Sequence, residues 1–95
     1  MSQFVKNNDI IARQVAGETI LVPVRGDLAA MQRIFALDAV GEYIWQLLHD
    51  PVDLQQLVEA ITERFEVTAE QARSDARQFL TELNDAGLIS IVSSS

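Results

Sequence analysis

The sequence predicts a small α+β domain of winged-helix type, with three N-terminal β-strands, three α-helices and a candidate short strand at the C-terminus. Three observations carry that prediction. β-branched residues crowd two stretches of the first third around a glycine, apolar residues recur at helical spacing after Asp38, and Gly87-Leu88-Ile89 closes the last periodic run. The 95-residue length fits one domain, placed at 1–92 with a tail at 93–95, and it is enough for one ordinary core without staples.

Ile10 to Val15 and Thr19 to Val24 read as a hairpin, connected by Ala16-Gly17-Glu18 with a glycine able to take positive φ. Pro23 has no N–H to donate and belongs near a strand end or on an edge. Gln32 to Leu37 reads as a short third strand at a sheet edge, stopped by Asp38. Asp38 is a good N-cap for a helix to about Leu48, in which Val40, Ile44, Leu47 and Leu48 share a face. Gly41 inside it costs about 1 kcal/mol relative to Ala, so a closely packed neighbour is expected there. His49-Asp50-Pro51 ends that helix. Asp53 with Gln56 forms a capping box for a second helix to about Phe65, with Val52 and Leu57 as a hydrophobic staple. Thr68 with Gln71 is a second capping box and opens the third helix. Its core positions are Ala72, Ala76, Phe79, Leu80 and Leu83, and Gly87 stands where a C′ glycine would end it. Leu88 to Val92 is the candidate for the last strand.

Composition narrows function. Seven Lys and Arg against fourteen Asp and Glu give a net charge of −7, which opposes binding to phosphate backbones and anionic membrane surfaces. The chain has no cysteine, so disulfides, thiolate nucleophiles and cysteine-based metal sites are excluded. No run approaches the roughly 20 apolar residues that cross a bilayer, and no N-terminal signal pattern is evident, so the cytoplasm is the expected compartment. His49 is the lone histidine and has no catalytic constellation attached to it in sequence. Trp45 reads as core, and Arg25-Gly26-Asp27 as a turn. The expectation is a binding module with no enzyme activity, no cofactor and no metal.

Phe35-Ala36-Leu37-Asp38-Ala39-Val40-Gly41-Glu42-Tyr43-Ile44-Trp45, Ser74-Asp75-Ala76-Arg77-Gln78-Phe79-Leu80 and Leu83-Asn84-Asp85-Ala86-Gly87-Leu88-Ile89 resemble the PqqD family, the RiPP recognition elements. That family's pattern has a strand ending in Leu-Asn or Leu-Asp, a small residue and Gly, then Ile-Trp. Later come an Asp two turns before a Leu and a terminal Gly-Leu-Ile or Gly-Leu-Val. The likeness covers about Ile10 to Ile89. The resemblance implies a non-catalytic domain that takes the leader segment of a ribosomally made precursor peptide as an added strand on the edge of its third strand, against its third helix. It also implies presentation of that peptide to a modifying enzyme, a radical-SAM protein in one branch and a leader peptidase or cyclase in another. Ala36 and Ala76 depart from the pattern, which commonly has larger aliphatics there.

Strand addition is physically sound because a bare sheet edge exposes unpaired N–H and C=O groups. Hydrogen bonds at a net of about 1 kcal/mol each barely offset an association cost of roughly 4 to 15 kcal/mol, so apolar pockets must contribute beside the edge. The candidate peptide-binding residues are Gln32, Arg33, Ile34, Phe35 and Ala36 on the third strand, and Arg73, Ala76, Arg77 and Leu80 on the third helix. Arg73 and Arg77 lie on one flank of the third helix and Asp75 and Glu82 on the other, so Arg73 and Arg77 are expected to steer an acidic leader over a floor of Ile34, Phe35 and Leu80. The plainer reading is that both arginines are simply solvated.

Two competitors stand beside this reading. A winged-helix DNA-binding regulator would share the layout, but its recognition helix would carry Glu70, Asp75, Glu82 and Asp85 against Arg73 and Arg77. A structural or dimerisation subunit would pair the edge strand with its own copy.

Overall fold

The computed structural model describes residues 2–8, 10–23 and 35–93. Its chain begins with β1 (Ser2–Lys6), a strand the sequence did not announce, which pairs antiparallel with the last strand, β5 (Ile89–Ser93), from Ser2↔Ser93 to Lys6↔Ile89. The ribbon is tied to the helical layer at several points. Phe4 forms a bridge with Val52, the Lys6 N–H donates to the Leu48 carbonyl at 2.8 Å, and the Asn7 side-chain amide donates to the Gly87 carbonyl at 2.7 Å.

The expected hairpin is present as β2 (Ile10–Val15) and β3 (Glu18–Pro23). Its connection is two residues long, with Ala16 at φ 53° and Gly17 at φ 84°. Positive φ at both central positions suits a type I′ turn, which matches strand twist, so Glu18 joins the strand rather than the connection. The third expected strand appears as β4 (Phe35–Leu37), paired with β3 from Thr19↔Leu37 to Leu21↔Phe35. Gln32, Arg33 and Ile34 lie outside the described residues.

Three helices follow. α1 (Ala39–Leu47) starts at Asp38, whose carboxylate accepts the Gly41 N–H at 2.7 Å. α2 (Leu54–Arg64) has the full capping box: the Gln56 N–H donates to Asp53 Oδ1 at 2.8 Å, and the Asp53 N–H donates to Gln56 Oε1 at 2.9 Å. α3 (Ala69–Asp85) is capped by Thr68, but only half of its expected box forms. The Gln71 side chain turns forward and donates to Asp75 Oδ1 at 2.8 Å, the i,i+4 neighbour on its own face. The helix ends as a Schellman motif, with Gly87 at φ 77°, the Leu88 N–H on the Leu83 carbonyl and the Gly87 N–H on the Asn84 carbonyl.

The core lies between the helices and the two small sheets. Ile44, Leu48, Leu57, Ile61, Leu83 and Leu88 are fully buried within it, each stabilising the fold by about 1.5–3 kcal/mol. Trp45 is buried too, with Lys6 Nζ 5.3 Å from its ring centroid. β4 shows the period of two that a half-covered strand demands, with Phe35 and Leu37 buried and Ala36 exposed. No helix among the described residues is long and apolar enough to cross a membrane.

Candidate functional site

Among the described residues the three-stranded sheet runs in the order β2-β3-β4, with β4 at its edge and no described strand paired with its far side. The chain leaves β4 at Asp38 and turns directly into α1. Asp38, Val40, Gly41 and Ile44 then face Asp75, Gln78, Phe79 and Glu82 of α3 across a cleft of about 210 Å³. Gly41 lies on the wall of that cleft. A Cβ there would meet Asp38 Oδ1 at 3.2 Å and the Phe79 ring at 3.6 Å, the close neighbour its place in a helix implied. Asp75, Phe79 and Glu82 share the flank because they stand four and three residues apart. The cleft is predominantly polar, with three carboxylates and Gln78 around a smaller apolar part supplied by Val40 and Phe79. Beside it, Glu42 accepts a hydrogen bond from the buried Thr19 hydroxyl at 2.9 Å, which in turn accepts from Gln14 Nε2 at 2.9 Å. That relay stitches α1 to the sheet.

The opposite flank of α3 faces other elements. Arg77, Leu80, Thr81 and Asn84 border a second cleft of about 210 Å³, closed by Phe4 of β1, Leu54 of α2 and Ile91 of β5. Arg73 lies a turn earlier, and its guanidinium donates to Gln55 Oε1 of α2 at 2.7 Å.

These placements revise the candidate site. Ala36 and Phe35 stand on the edge strand, Ala36 outward and Phe35 inward. Ala76 is fully buried and serves as packing beneath both flanks. Leu80 and Phe35 both belong to the buried core, and Leu80 also lines the second cleft, which Phe35 does not border. Arg73 and Arg77 are on the same flank as Leu80, as the helical projection orders them, and that flank turns toward α2 and the β1–β5 ribbon rather than toward the end of β4. The residues the sequence left out are Asp38, Val40, Gly41, Asp75, Phe79 and Glu82. Gly41 and the Asp75–Glu82 flank were visible in the sequence, but not their meeting.

His49 is exposed, with Nδ1 3.3 Å from the Gln46 carbonyl oxygen and Nε2 3.2 Å from Asp50. Among the described residues no group of three or more His, Asp or Glu side chains is placed to hold a metal ion.

An α+β domain with an edge strand beside a helix-walled cleft is the class that fold and site define. The family model described as coenzyme PQQ synthesis protein D (PqqD) matches residues 18–89, and the chain belongs to the PqqD family. Two solved structures are similar over nearly their whole length. TbiB1 in complex with the TbiA(beta) leader peptide superposes with a TM-score of 0.71 at 24% identity, covering 96% of this chain and 99% of that one. A lasso peptide synthetase B1 complexed with its leader peptide gives 0.70 at 21% identity, covering 92% and 96%. At these identities the likeness is one of fold. No curated protein sequence matches significantly.

Proposed function

We propose that this chain is a non-catalytic recognition module that binds the leader segment of a ribosomally synthesised precursor peptide and presents the peptide to a modifying enzyme in the cytoplasm. The leader adds as a strand to the outer edge of β4 and sets its side chains into the cleft between the start of α1 and the Asp75–Glu82 flank of α3. The observation that carries this reading is the edge position of β4, directly continuous with that cleft. Membership of the PqqD family supports it, as does the fold shared with two proteins solved with leader peptides. β4 is three residues long, so its ladder supplies only a few hydrogen bonds at about 1 kcal/mol each. Side chains held against Val40 and Phe79 must provide the remainder. The partner enzyme is a radical-SAM protein or, alternatively, a leader peptidase or cyclase.

The test is calorimetric titration of the purified chain with a synthetic peptide carrying the leader of a candidate precursor. Saturable one-to-one binding, together with no binding of random duplex DNA, is the expected result. A silent leader titration alongside a salt-dependent DNA complex would replace this reading with the regulator.

A further inference from the structure

We infer that the Arg77 flank of α3 and the β1–β5 ribbon form a second docking surface, which receives an acidic segment of the modifying enzyme bearing one bulky apolar side chain. The inference rests on the leader-binding reading, because a module that presents a peptide must hold the enzyme on a surface the peptide leaves free. The cleft on this flank has the form of a side-chain socket. Phe4, Leu54, Leu80 and Ile91 give it apolar walls, and Arg77, Thr81 and Asn84 line it as well. Its volume of about 210 Å³ exceeds the roughly 150 Å³ that suffices for a benzene ring. Ile91, on its wall, is 51% exposed, so the socket's apolar rim is open to a partner.

Charge identifies the occupant. The chain is strongly acidic at −7, yet Arg77 lines this cleft and Arg73, the only other cation on α3, lies a turn earlier, where both border a shallow depression with Glu70 and Ser74. Two other cations are engaged: Lys6 lies over Trp45, and Arg64 lies over Tyr43 at 4.8 Å. Among the described residues Arg77 has no hydrogen bond, ion pair or ring partner, and Arg73 has only the neutral Gln55 amide. A carboxylate brought next to an apolar anchor would meet two guanidiniums able to grip it in bidentate fashion. The same segment would be repelled from the first cleft by Asp38, Asp75 and Glu82. α3 thus separates its two partners by charge, one on each flank.

The test uses the enzyme encoded beside this chain, immobilised, with binding read by interferometry. R73E/R77E is expected to weaken enzyme binding by about tenfold or more, equivalent to about 1.4 kcal/mol, and Ile91→Asp is expected to do the same from the apolar side. Leader affinity in both variants should stay within about twofold of the parent, well under that threshold. All three positions are exposed, and an unchanged circular-dichroism melt confirms that the variants fold. Enzyme binding that survives both changes overturns the inference. Loss of leader binding in R73E/R77E overturns it too, by returning the arginines to the leader. Failure of the parent chain to bind leader at all would instead fell the leader-binding reading, and the enzyme titration would still report on this surface.

Discussion

The two flanks of α3 are built from one seventeen-residue helix, yet they meet different surroundings. On one, Asp75, Gln78, Phe79 and Glu82 look across a cleft at the capped start of α1, beside the edge strand. On the other, Arg77, Leu80, Thr81 and Asn84 look at α2 and the terminal ribbon. Both clefts have the same volume, and they differ in sign of charge and in the strand that borders them. Helical periodicity sets which side chains share a flank, while chain topology decides which flank an added strand can reach.

The comparison breaks most completely if the wall common to both clefts is damaged. Leu83 is fully buried in α3, and Leu83→Ala is expected to cost about 2–5 kcal/mol, read as a lowered denaturation midpoint with binding weakened on both flanks. Phe79→Ala touches one side alone. It should weaken leader binding by about tenfold, or about 1.4 kcal/mol, with enzyme docking unchanged, and titration of each partner checks the split. Asp38→Ala removes the α1 cap and should cost about 1 kcal/mol of stability, whereas Asp38→Asn keeps a capping acceptor and should cost far less. If Asp38→Asn melts like the parent but binds leader differently, the carboxylate acts in the cleft as well as in the cap. His49→Ala lies on neither flank and should move stability by less than about 0.5 kcal/mol.

Local signals were legible in the sequence, and contacts between distant segments were not. The hairpin, the caps at Asp38 and Asp53 and the C′ glycine at Gly87 each rest on a few adjacent residues whose chemistry dictates one backbone path. β1 escaped because its partner is at the far end of the chain, where Gln3 meets Val92, and no short-range pattern announces such a pair. The half-formed cap at Thr68 shows two legitimate uses of one side chain in competition, with Gln71 reaching Asp75 instead of the cap. Of the candidate site, the edge strand and the division of charge between the flanks of α3 were readable. Which flank adjoins β4 was not, because that depends on how α3 is laid across α1, where the Phe79 ring comes within contact distance of Gly41.

The central claim is that a leader strand extends the sheet at β4 and occupies the Asp75–Glu82 side of α3. Amide chemical-shift mapping with the synthetic leader tests it most directly. The expected result is perturbation of Phe35 to Leu37 together with Asp75 to Glu82, and cross-strand contacts from the peptide to β4. Perturbations gathered at Phe4, Leu54 and Ile91, with β4 silent, would contradict it.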